Sequence, residues 1–389
     1  MKIRKPDYYD NFHCIAGACD FTCCREWKIA VDDATNARWK RMKPPAGMAT
    51  RRKNLSLFTT WKDGGRVIAM EQNHNCPFLN EAGLCHIVCE YGEESISETC
   101  HTFPRETHDF GSFRELSLMP SCPVSVDLLR EANGFHIVEE EVTKTKEGTD
   151  PEHKNRGDNE TEGRTLEARD FLLALACESE ESCEVTLLAL HFIAESMLSD
   201  KAWKEEEIRR DLPELYQSLK NLPTNPAETW SECRELFLDL TCNYRQQGLY
   251  TSLLEDKIRL AEEMDEEIFP DTAFSRAWLA QNDLWKKWLA QEIYADCLIP
   301  GGDMESMVVR LQWIIMEYVL LRELCLLHYR QAGELSPKDA RDQLVLTSRL
   351  MGYEEEDILD YMEGSFESLL WDWGYPALAL GRLTEMTDG

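Results

Sequence analysis

Cys14-Ile15-Ala16-Gly17-Ala18-Cys19-Asp20-Phe21-Thr22-Cys23-Cys24 places four thiols within eleven residues. Five more follow at Cys76, Cys85, Cys89, Cys100 and Cys122, so nine of the chain's fifteen cysteines lie in its first 122 residues. Packing alone does not call for that density. Thiols this close offer several soft ligands to one ion or cluster. The first third is therefore expected to be built around a metal centre, iron–sulfur (4Fe-4S) with zinc as the alternative.

Disulfides are the other use of clustered cysteines, and the compartment decides between the two. The chain begins Met1-Lys2-Ile3-Arg4-Lys5-Pro6-Asp7-Tyr8-Tyr9 with no apolar stretch behind the basic residues, so no secretory signal is read there. The most apolar segment, Met307 to Tyr329, is interrupted by Arg310, Glu317, Arg322 and Glu323, and reads as a buried helix rather than a membrane span. The expectation is a cytoplasmic protein with reduced, metal-binding thiols. The scattered Cys177, Cys183, Cys233, Cys242, Cys297 and Cys325 read as small buried hydrophobes.

Charge divides the chain. Residues 1–130 carry seventeen basic and seventeen acidic side chains; residues 131–389 carry 25 and 55, and so hold the whole net charge of −30. Such a field disfavours nucleic acid and anionic membranes and favours a basic protein partner. The basic stretch Arg38, Lys40, Arg41, Lys43, Arg51, Arg52 and Lys53 lacks the aromatic interleaving of a single-strand binder and reads as a docking or solvated face.

Three parts are expected. Residues 1–137 form a cysteine-rich α+β module, 138–165 a polar, acidic linker, and 166–389 an acidic all-helical domain, giving a mainly α fold. In the module, Trp27–Asp32, Arg66–Met70 and Phe113–Leu118 carry strand signals, and Asp33–Met42 reads as a short helix. Beyond the linker, apolar residues recur at three- and four-residue spacing over Leu166–Met197, Glu205–Leu222, Trp230–Gln247, Leu249–Phe269, Phe274–Cys297, Ser306–Gln331, Pro337–Met351 and Glu354–Trp371. Trp278, Trp285 and Trp288 fall near one helix face and are expected in the core.

The candidate ligands are Cys14, Cys19, Cys23, Cys24, Cys76, Cys85, Cys100 and Cys122. Adjacent residues ligate one ion poorly, so one of Cys23 and Cys24 is expected to serve another site or to pack. Asn80-Glu81-Ala82-Gly83 reads as a hairpin turn that brings Cys76 and Cys85 together. Cys89 sits on a helical pattern and reads as structural. His13, His86 and His101 adjoin cysteines, but a neighbour in sequence usually points away.

The ordered set resembles the cysteine-rich zinc- or iron-chelating modules, and among them the flagellin lysine-N-methylases. The resemblance rests on Tyr8 to Cys14, the Cys19–Cys24 run with Trp27–Asp32, Cys76-Pro77-Phe78-Leu79-Asn80, Gly83-Leu84-Cys85, Thr99 to Arg105, and Arg114–Leu118 leading to Cys122-Pro123. His101 stands where that family more often has arginine, and Cys89 lies outside the pattern. The resemblance implies methyl transfer from S-adenosylmethionine to exposed lysines of flagellin, in an enzyme holding an iron–sulfur cluster. The residues themselves show neither a Gly-x-Gly-x-x-Gly loop after a strand nor a Cys-x3-Cys-x2-Cys run. A lysine nucleophile needs a proton acceptor, and a sulfonium donor favours aromatic faces. Tyr8, Trp27, Asp32 and Arg105 are the candidates for that chemistry. The alternative is a non-enzymatic metal-binding or redox-sensing module that recruits a partner.

Overall fold

The computed structural model describes residues 1–62, 64–141, 159–223, 225–264, 270–352, 355–366, 370–371 and 373–381. The fold is mainly helical, as the sequence suggests. The N-terminal part runs β1 (Lys2–Pro6), α1 (Asp33–Trp39), β2 (Thr59–Lys62), β3 (Gly65–Ile68), α2 (His86–Tyr91), α3 (Glu98–Thr102), β4 (Arg105–Asp109), β5 (Phe113–Leu118), α4 (Pro123–Glu131) and β6 (Ile137–Glu141). The helices that follow are α5 (Asn159–Glu178), α6 (Cys183–Ser199), α7 (Glu205–Lys220), α8 (Pro226–Gln247), α9 (Thr251–Glu263), α10 (Thr272–Leu279), α11 (Asn282–Ala295), α12 (Met304–Ala332), α13 (Pro337–Met351), α14 (Glu355–Phe366) and α15 (Gly374–Leu380).

A four-stranded sheet in the order β4-β5-β1-β6 joins the two parts. β1 runs parallel to β5 and antiparallel to β6, while β4 and β5 pair antiparallel with Arg105 opposite Leu118. Charge pairs hold these polar strands in register: Arg4 to Glu115 at 2.8 Å, Lys2 to Glu139 at 2.6 Å and Lys5 to Glu140 at 3.0 Å. β2 and β3 form a separate hairpin. Trp27–Asp32 does not become a strand; Ala30 makes a single bridge to Val67. Of the segment read as a linker, residues 138–141 belong to β6, residues 142–158 lie outside the described residues, and α5 opens at Asn159.

Two cores result. Ile29, Val31, Trp39, Leu55, Phe58, Ile68, Phe78 and Ile87 form a small one beneath the cysteine loops. The large core gathers the helices together with Tyr8, Tyr9, Phe12 and Leu118 from the N-terminal part. Its axis is α12, apolar around its circumference and buried from Met307 to Leu327 save for scattered positions, as a helix enclosed by others must be. α12 packs against α6, α8, α9, α13 and α15. Trp278, Trp285 and Trp288 are buried in this core, the first two stacked at 4.7 Å. Among the described residues no helix is long and apolar enough to cross a membrane.

Candidate metal centre

The eight candidate cysteines do not gather at one point. Cys24, Cys76, Cys85 and Cys100 lie within electrostatic reach of one another, with Cys23 against Cys24 and Cys100. Cys14, Cys19 and Cys122 form a second group. Cys89 is exposed on α2.

Local structure explains the first group. The Cys76 amide donates to the Cys24 carbonyl at 2.8 Å, and Arg25 bridges Asn75, so the two loops run side by side. The expected turn forms: Asn80 Oδ1 accepts from the Ala82 and Leu84 amides at 2.9 Å each, and Leu79 bridges Cys85. Ser97 caps α3 by accepting from the Cys100 amide at 3.3 Å. The two groups meet through glycine. A Cβ on Gly17 would stand 2.5 Å from the Ala82 carbonyl oxygen, and Gly83, at φ +72°, leans on Gly17, an approach only residues without a side chain allow.

Burial pushes the Cys76 thiol well up, raises Cys85, and raises Cys100 to about 11. The hydrogen bond between the adjacent thiols lowers Cys24 and raises Cys23. Sulfurs from four separate segments, Cys76 buried and Cys24, Cys85 and Cys100 half-buried, are the donor chemistry of iron–sulfur and of structural zinc sites. Among the described residues no three such side chains are already placed to hold a single ion. The fit is therefore one of donor type and convergence.

The helical part grips these loops through Arg349 of α13, which sequence reading missed. Its guanidinium donates to the carbonyls of Phe21 (2.8 Å), Thr22 (3.3 Å) and Ser121 (3.0 Å), and lies over the Phe21 ring. It thus ties Cys19, Cys23 and Cys122 from one point. No spacing marks it, because its partners are main-chain atoms.

The four candidates for transfer chemistry separate. Trp27 stands at the thiols, its indole N–H on the Cys23 carbonyl and its ring 5.1 Å from Phe103. Asp32 accepts from the Thr35 amide at 2.7 Å as the cap of α1, and from the Glu98 amide at 3.2 Å. Tyr8 is buried and donates to Gln291 at 2.6 Å. Arg105 lies over Phe12. A concavity of about 270 Å³ lined by Leu188, Leu219, Trp373 and Leu378 lies among α6, α7, α8 and α15.

The family described as the FliB lysine N-methylase C-terminal domain matches residues 162–378, more than half of the chain. A lysine-N-methylase of Salmonella choleraesuis is 27% identical over 156 residues, covering 39% of this chain and 38% of that protein. One of Salmonella typhimurium is 26% identical over 156 residues, with the same shares. The flagellar biosynthetic protein FliU of Salmonella muenchen is 28% identical over 127 residues, 32% of this chain and 73% of that protein. The matches thus span well under half the length of the two lysine-N-methylases. No solved structure matches the chain.

Proposed function

The chain belongs to the FliB lysine N-methylase family, and from that premise we propose that it methylates protein lysines with S-adenosylmethionine as donor. Flagellin is the first acceptor to try, because relatives carry flagellar and lysine-N-methylase names. The observation that carries the reading is the family match across the helical part. The cysteine pattern of the other part, which resembles the same family, supports it.

Cys24, Cys76, Cys85 and Cys100 would hold an iron–sulfur cluster. When bound, such a group supplies a one-electron couple and Lewis-acidic iron. The chain's own residues supply the rest. Trp27 and Phe103 offer an aromatic face to a sulfonium. Arg349 and the small core hold the loops in place. The methyl carbon leaves sulfur as its bond to the lysine nitrogen forms, giving S-adenosylhomocysteine, and the lysine proton passes to a carboxylate or water.

The test uses anaerobically purified full-length chain. Near-equal iron and acid-labile sulfide are expected, lost on Cys76→Ser or Cys100→Ser and kept on Cys325→Ser. Incubation with donor and flagellin should add whole methyl increments to lysines in intact-mass spectra. Stoichiometric zinc without sulfide would remove the cluster. Failure to bind the donor would leave a metal-binding module that recruits a partner.

A further inference from the structure

A second group of titratable residues lies where the sheet meets the helices. β4 is an edge strand, and Glu106 and His108 sit on its less exposed face. Glu292 and Asp296 follow one turn apart at the end of α11; Arg310 and Glu317 come from α12. Glu106, Glu292, Asp296 and Glu317 interact electrostatically across the seam. We propose that this carboxyl cluster binds the side-chain ammonium of the acceptor lysine. The proposal rests on the lysine-methylase reading and gives it a substrate site.

The first ground is unsatisfied chemistry. Glu292 is only 4% exposed. Its Oε1 has no hydrogen-bond partner among the described residues. A buried acceptor left bare costs about 1–3 kcal/mol, which a donor arriving from outside would relieve. The second ground is charge. Among the described residues the four carboxyls share the seam with the Arg310 guanidinium, whose Nη1 is also 3.2 Å from the Asp296 carbonyl. Burial keeps the His108 ring below its ordinary value, and it stands 3.8 Å from Glu106. The nearby Arg169 is engaged by Glu115 at 2.7 Å and Asp170 at 2.8 Å. An ammonium brings one positive charge and three N–H donors. The third ground is access: the Glu106 side chain is 29% exposed, so the seam meets solvent at that residue, with Glu292 buried behind it.

The protonation of the free site agrees. Burial and Asp296 raise Glu106 to about 8, with Ser117 and Arg310 opposing, and burial pushes Glu292 and Glu317 upward. These protons fill the place of the missing cation. Lysine stays charged to about pH 10, so its binding should displace protons and tighten as pH rises from 7 through 8. His108 is already neutral over that range, Glu115 is paired with Arg169 and Arg4, and Arg310 faces the carboxyls from α12.

The test is calorimetric titration of the full-length chain, without methyl donor, by Nα-acetyl-lysine N-methylamide and by its norleucine counterpart. Expected are at least tenfold tighter binding of the lysine compound, proton release on binding, and loss of that preference in Glu292→Gln and Glu317→Gln. S-adenosylhomocysteine should bind these variants as it binds the parent. Equal behaviour of the two compounds, including no binding by either, overturns the site. So does a defect confined to S-adenosylhomocysteine, which would assign the cluster to the donor's α-ammonium. If Glu292→Gln fails to fold, Glu106→Gln, partly exposed on its strand, carries the same comparison. Lysine binding without methylation would defeat the methylase reading and keep the site. Full methylation by Glu317→Gln would do the reverse.

Discussion

Glu323 shows how much one residue can set the pH response of this fold. It is fully buried on α12, and neither carboxyl oxygen has a hydrogen-bond partner. Burial raises it to about 7, against the opposing pull of Arg234 and Arg322; Cys233 is its other titratable neighbour. Its folded value exceeds its unfolded one, so the stability contributed by its proton is complete below about pH 4.5 and lost as pH rises through about 7. Glu323→Gln should therefore match the parent in urea unfolding at pH 5 and exceed it by about 2–3 kcal/mol at pH 8. A less stable variant at pH 8 would mean that the two arginines hold the carboxylate charged. At the other end of the size scale, Gly17→Ala drives a methyl group into the Ala82 carbonyl. It should cost about 1–3 kcal/mol, the usual penalty of overpacking, read as a lower urea midpoint at unchanged slope.

Among the elements, α13 couples the two parts of the chain. Ser336 and Asp339 cap its start reciprocally, and Arg349 in its last turn holds three carbonyls of the cysteine loops. Arg349→Met should leave the helical circular dichroism intact while the metal-free chain's Cys19 and Cys23 alkylate severalfold faster, measured by mass spectrometry. Unchanged alkylation would mean that the loops hold themselves. The helices themselves were legible, because apolar spacing records which face is buried. Leu166–Met197 read as one helix but is two, since Ser182 caps a new start by accepting from the Val185 amide. The large sheet was less legible. β1, β4 and β6 are rich in Lys, Arg and Glu, and pair through charges on the opposing strand, so no apolar alternation announces them. The thiols could be counted from sequence, yet their division into two groups depends on loops brought together by main-chain bonds and two glycines. The carboxyl seam had no sequence signature, since Glu106, Glu292 and Glu317 are far apart along the chain.

For the whole molecule the dominant fact is the net charge of −30, all of it beyond residue 130. Much of it stays unneutralised at the surface, where pairs such as Arg210 with Asp211 are exposed and worth little to stability. A negative field attracts and orients a lysine-bearing acceptor during encounter. Exposed charges are screened beyond about 30 Å at 0.01 M salt but beyond about 8 Å at 0.15 M. Association with a lysine-rich acceptor should thus slow about tenfold or more over that range, mainly in the on-rate. Two controls separate steering from recognition. An uncharged peptide should associate at a salt-independent rate, because the field has nothing to pull on. Glu292→Gln, buried in the seam, should weaken the bound complex and leave the salt slope of the on-rate nearly unchanged, because that slope comes from surface charge. Stopped-flow fluorescence measures both. Equal salt dependence for the acceptor and the uncharged peptide would reduce the acidic surface to a device for solubility.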